Sequence, residues 1–195
     1  MMRAAAALFM LLVASAASAQ GDLPALYDVS GVASDDVLNV RAGPEASAPL
    51  VATLAPDETG VEIVRRSGGW GLVSLPETRG WASLDYLARQ PGQGEGFPMP
   101  QRCSGTEPFW SLALGERPVF AVPERETPLH GHVEATAGDA ALLEFGGPGA
   151  GFDVLLERQE CSDGMSDRAY GIRAALIGTM PGADAYLRGC CTLRP

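Results

Sequence analysis

The chain has 195 residues with 14 basic and 24 acidic side chains, a net charge of −10, and every basic residue is an arginine. A nucleic-acid partner is excluded on charge, because neutralising phosphates needs a basic surface. Four cysteines, all at or beyond Cys103, place any covalent cross-linking in the second half alone and favour disulfides over metal ligation in an exported chain.

Residues 1–19 read as a secretory signal peptide: Arg3, an apolar stretch from Ala4 to Val13, and small residues ending in Ala17-Ser18-Ala19. The apolar stretch is shorter than a membrane span of about 20 residues, and nothing after the leader approaches one. Loss of Arg3 with the leader leaves 13 basic residues against 24 acidic ones. The expected location is periplasmic or secreted.

From Leu26 to Arg89 short β-type runs follow one another, VLNV, LVATL, VEIV, WGLVSL and GWASL, with turn residues between them. Leu38 and Val40 alternate with Asn39 and Arg41, so one face enters a core while the other meets water. Gly43-Pro44 stops that strand, and Gly68-Gly69 supplies a hairpin turn before Trp70. A short helical turn is expected around Ser83 to Leu87.

Three segments of this region, LNVRAGP, SGGWGLV and GWASLDYL, resemble a bacterial SH3 domain of the extracellular type over residues 26–89. The resemblance implies a small β-barrel and a binding module without catalysis, for a cell-wall peptide or an envelope protein. Asn39, Arg41, Trp70, Trp81 and Tyr86 are the candidate ligand residues, with packing into the small core as the competing role of the tryptophans. Asp57-Glu58 stand where the family usually has a glycine, and the acidic surface disfavours anionic wall polymers.

Residues 90–100 lie in QPGQGEGFPMPQ, which is rich in Gly and Pro and has neither helical nor strand period; it reads as a linker. Residues 101–195 form the second domain. FWSLAL, PVFAV, HVEATA, ALLEF, FDVLLERQ, YGIRAALIG and AYLRGCC give seven candidate strands, which suits a small antiparallel barrel or sandwich. The fold class is therefore all-β: an SH3-like barrel joined by a Gly/Pro linker to a second small antiparallel β-barrel with disulfides. No cofactor is expected.

An enzyme is the alternative. Papain-like cell-wall endopeptidases carry their nucleophile in a Cys-Ser-Gly context, which Cys103-Ser104-Gly105 matches, with His130 or His132 as base. Against it, Pro108 would break a helix starting at the cysteine, where such a nucleophile sits. Cys103-x-Gly105-x-Glu107-Pro108-Phe109-Trp110, Cys161-Ser162-Asp163-Gly164-Met165-Ser166-Asp167 with Tyr170, and Leu187-x-Gly189-Cys190 instead resemble an uncharacterised family of periplasmic or lipoprotein-attached bacterial β-domains. That resemblance implies a fold and leaves function open, with envelope binding or inhibition as the expectation.

Phe109 and Trp110 should face opposite sides of a strand, and Glu107 is expected to pair with Arg168 or Arg173. Cys103 and Cys161 should each bond one member of the Cys190-Cys191 pair, since closure of a barrel brings its first and last strands together. His130, His132 and Glu134 share a strand face and raise a metal reading, against which an exposed hairpin loop is preferred; no metal site is expected. In ECSDGMSDRAYG, Asp163-Gly164 reads as a turn, with Ser162, Ser166 and Asp167 bonding nearby amides and the aspartates too few for a calcium loop.

Overall fold

A computed structural model describes residues 22–93 and 96–194. The expected signal peptide lies outside the described residues. The chain is all-β, with one short 3₁₀ turn at Leu84–Tyr86, inside the stretch where a helical turn was expected. Among the described residues, no helix is long and apolar enough to cross a membrane.

The first half is a seven-stranded antiparallel sheet, β1 (Ala25–Val29), β2 (Leu38–Arg41), β3 (Leu50–Leu54), β4 (Val61–Ser67), β5 (Trp70–Ser74), β6 (Arg79–Ser83) and β7 (Leu87–Arg89), in the order β3-β2-β6-β5-β4-β1-β7. Its core is aliphatic, built on Leu38, Val40, Val61, Ile63 and Val73. Ser67 pairs with Trp70 across a two-residue turn, where Gly68 takes a φ of 56° that a side chain would oppose.

The second half contains nine strands rather than seven: β8 (Arg102–Thr106), β9 (Phe109–Ala113), β10 (Val119–Val122), β11 (Arg125–Pro128), β12 (His130–Ala137), β13 (Ala140–Gly147), β14 (Ala150–Cys161), β15 (Tyr170–Thr179) and β16 (Tyr186–Thr192). The two additional strands are β8 and β11, whose sequences RCSGT and RETP are too polar to stand out by hydrophobicity. Strands consecutive in sequence pair with each other, except β11 and β12, and β16 pairs back onto β8. β11 bonds to β10 and β12 to β13, with only Leu129 between them, so one stretch of chain serves both ends of the sheet and brings it round to a near-barrel.

Inside that barrel Trp110, Phe120, Phe152 and Phe145 form a row, with successive ring centroids 6.4, 5.7 and 5.7 Å apart. Trp110 is buried and Phe109 exposed, the opposite-face arrangement that adjacent strand positions impose. Two glycines make room for the indole. A β-carbon on Gly105 would lie 2.2 Å from Trp110 Nε1, and one on Gly189 would lie 2.6 Å from its Cζ2 and 2.1 Å from the Ser104 carbonyl oxygen.

Disulfides Cys103–Cys191 and Cys161–Cys190 staple the sheet. Adjacent residues of β16 point to opposite faces, so one bridge lies on each side of the strand. Cys103 and Cys191 are directly opposed in the β8–β16 register, inside the core.

The two halves meet along a buried seam. Val64, Leu72 and Trp81 of the first sheet cluster with Ala169, which stands just before β15, and Leu26 packs against the barrel core. The Gly/Pro stretch is fastened at both ends: Gln90 Nε2 donates to Asp28 at 2.7 Å, and Phe97 is buried in the barrel core beneath the Arg158 guanidinium, 5.8 Å from its ring.

At the seam stands Glu62, fully buried on β4. The Thr192 hydroxyl donates to its Oε2 at 2.5 Å, while Oε1 finds no partner among the described residues. Arg168 reaches across, donating to Ser74 Oγ at 3.0 Å and Thr192 Oγ1 at 2.9 Å. Burial pushes the Glu62 carboxyl above its ordinary range, opposed by the Thr192 and Leu193 hydrogen bonds and the charges of Arg168 and Arg194. Arg168 is thus committed to the seam, and Glu107 is exposed; the expected Glu107 pairing with Arg168 or Arg173 is not made, because the β8–β9 turn carries Glu107 outward into solvent.

Candidate functional site

On the first sheet a groove of about 560 Å³ is lined by Asn39, Arg41, Trp70 and Tyr86, together with Asp36, Val37 and Ser83. Asn39 and Arg41 come from the outward face of β2, whose inward positions Leu38 and Val40 are buried. Trp70 opens β5 opposite Ser83, and Tyr86 closes the 3₁₀ turn, where the Ser83 hydroxyl accepts the Asp85 amide at 3.4 Å. Arg41 is held in place by donating to the Ala48 carbonyl at 2.9 Å. Tyr86 is 45% exposed and Val37 43%, so an aromatic and an aliphatic surface flank a guanidinium, a carboxylate and an amide.

Trp81, the fifth residue expected there, lies elsewhere. It is buried at the seam with the Arg65 guanidinium 5.4 Å from its ring, and Arg65 in turn pairs with Glu160 at 3.2 Å. The reason is the second half of the chain: in an isolated SH3 barrel an outward face of β6 would meet solvent, whereas here Ala169 covers it. Trp70 touches both places, lining the groove and packing against the seam cluster.

A second, larger concavity of about 760 Å³ lies on the outside of the barrel. Its walls are the β8–β9 turn, with Glu107, Pro108 and Phe109, and the stretch Ser162 to Met165. That stretch is tied to β16 by the Cys161–Cys190 disulfide and to β8 by the Thr106 hydroxyl donating to the Asp163 carbonyl at 2.8 Å. Asp163 organises it. Its side chain accepts from the Met165 and Ser166 amides at 3.0 and 2.9 Å, the Ser166 hydroxyl at 2.9 Å and the Tyr170 hydroxyl at 3.1 Å.

Burial works against the Asp163 charge, but these hydrogen bonds together hold its carboxyl below the ordinary range. Asp163 is the turn former, as expected from Asp163-Gly164, and Gly164 supplies the positive φ of 75°. Ser162 and Ser166 accept from the Gly164 and Arg168 amides at 3.2 and 3.3 Å. Asp167 does not share that role; its backbone amide instead donates to the Glu77 carbonyl across the seam at 3.3 Å.

The histidines sit on a strand, β12, exposed throughout, rather than in a hairpin loop. His132 Nε2 lies 3.0 Å from Glu134 Oε2, and Glu144 of the neighbouring strand joins them, with ligand atoms within 4.8 Å of one another. His130 is not part of this group and lies over Gly146. Three exposed groups on two strands are an ordinary surface cluster. Cys103 is fully buried and bonded to Cys191.

Residues 36–88 match the family described as bacterial SH3 domain. This segment is a bacterial SH3 domain, and β1, which precedes the match, completes its sheet by pairing with β4 and β7. No curated protein and no solved structure matches the chain.

Proposed function

We propose that this chain is a non-enzymatic exported binding protein whose SH3 module recruits it to a cell-envelope component, a peptidoglycan peptide or a protein partner. The carrying observation is the groove in which Asn39, Arg41, Trp70 and Tyr86 converge on a module of matched family. Bacterial SH3 domains commonly bind cell-wall components, and aromatic surfaces beside a few fixed polar groups suit a peptide. Export is supported by two disulfides, which persist in oxidising compartments, and by the leader-like N-terminus.

The endopeptidase alternative needs a free Cys103 thiolate, and the Cys103–Cys191 bond occupies that sulfur. The test is a pull-down from envelope fractions with the full mature chain, comparing it with Arg41→Ala/Tyr86→Ala. Tyr86 is chosen over Trp70 because Trp70 also packs on the seam. Retention should fall about tenfold or more, the loss of roughly 1.4 kcal/mol or above; equal retention by the variant would sink the recruiting role.

A further inference from the structure

We propose that the groove on the outside of the barrel is a second binding site, for a short peptide with a free C-terminal carboxylate. It stands independently of the SH3 groove and shares no residue with it. Six charged side chains line it: Glu160 is paired with Arg65 and Asp163 is taken up by its hydrogen bonds to Met165, Ser166 and Tyr170, while Arg173, Arg188, Glu107 and Asp184 make no ion pair among the described residues. Arg173 is only half exposed, at the level of Cys190 on the neighbouring strand, and even Glu157, directly opposite on β14, makes no ion pair with it.

In a protein with 24 acidic residues and 14 arginines, two guanidiniums left free on adjacent strands of one concave surface are a pair of donor forks matched to a carboxylate. β15 and β16 fix their separation, and the Cys161–Cys190 bridge pins the wall beside them. With the carboxylates of Glu107, Glu160, Asp163 and Asp184 also in the lining, the groove disfavours a polyanion and suits a ligand with a single carboxylate whose remaining body is neutral or carries an amino group. Phe109 is 54% exposed, Tyr186 53% and Met165 68%, an apolar surface around the arginines that a peptide side chain would cover. A volume of about 760 Å³ falls in the range of small-molecule and short-peptide sites.

The experiment uses the ¹⁵N-labelled full mature chain, oxidised, titrated with a library of tripeptides bearing free carboxylates and with the same library as C-terminal amides. Amide shifts should gather on β15, β16 and the Ser162–Met165 stretch for the free acids, and binding should weaken at least tenfold for the amides and for Arg173→Ala/Arg188→Ala. Arg188→Glu, a change at an exposed position that leaves the core untouched, should abolish the free-acid shifts while the melting temperature stays put. No shift in that region, equal binding of acids and amides, or shifts that vanish only in Arg41→Ala/Tyr86→Ala would each overturn the proposal.

Discussion

The two halves of this chain are both antiparallel and small, yet they are held together differently. The SH3 half uses strands of three to seven residues around an aliphatic core and has no cross-link. The barrel half runs strands of up to 12 residues around a row of aromatic rings and carries both disulfides. Its groove also depends on covalent chemistry, since the wall from Ser162 to Met165 leaves the sheet at Cys161 and is fastened there to β16. The SH3 groove is shaped by strand pairing and turns, with β2 and β5 set on either side of β6. One groove is fixed by a cross-link, then, and the other by strand pairing and turns.

The largest test of that contrast is removal of the Cys103–Cys191 bond, which spans 88 residues. Cys103→Ser/Cys191→Ser should cost about 4–5 kcal/mol, and Cys161→Ser/Cys190→Ser, which opens a span of 29 residues, about 3–4 kcal/mol, on loop-closure entropy. Thermal melts of oxidised, reduced and substituted protein measure both. If the reduced and oxidised forms melted together, the barrel would stand on its core alone and the contrast would fail.

A smaller effect separates two glycines. Alanine at Gly189 would set its β-carbon 2.1 Å from the Ser104 carbonyl oxygen of β8 and 2.6 Å from the buried Trp110 ring of β9, so backbone or a packed ring would have to move. Alanine at Gly80 of the SH3 half would meet Val40 and Val51 methyl groups first, at 2.5 and 2.7 Å. Overpacking costs about 1–3 kcal/mol, and Gly189→Ala should lie at the upper end and Gly80→Ala at the lower. Denaturant midpoints give the ranking, and a reversed order would show that Trp110 is not seated as tightly as the aromatic row implies.

Legibility in the sequence followed the same division. Alternation in VLNV, the Gly68-Gly69 turn and the aromatic positions sufficed to read the SH3 half, because each rests on neighbours in sequence. Asn39, Arg41, Trp70 and Tyr86 were picked out by the family resemblance, and the β2–β6 and β5–β6 pairings set them around one groove. Trp81 was misplaced because its cover, Ala169, comes from the other half of the chain. Strands β8 and β11 were missed because each is a polar arm of a tight hairpin, with β9 and β10 respectively, and has little apolar content of its own. Arg188 gave no signal and Arg173 only one as a partner for Glu107: 15 positions apart in the chain, they become neighbours only once β15 and β16 pair.

The subtlest prediction sets two carboxylates against each other. Asp163 in the barrel half has its folded-state pKa held below the ordinary 3.8, so its stabilisation is present above that value and is lost as pH falls through the depressed one. Glu62 at the seam has its pKa raised above 4.5, so its contribution is complete below that value and disappears as pH rises through the raised one. Asp163→Asn should therefore lower stability near neutrality and remove part of the acid-side loss. Glu62→Gln should do the reverse, leaving acid stability nearly unchanged and raising the neutral-pH melting temperature, because a neutral amide keeps an acceptor for Thr192 without the buried charge. Melts between about pH 2 and 8 on the full mature chain decide it. A Glu62→Gln variant less stable than the wild type at neutral pH would mean that the attraction of Arg168 and Arg194 outweighs the burial of Glu62, and that the seam is held by charge.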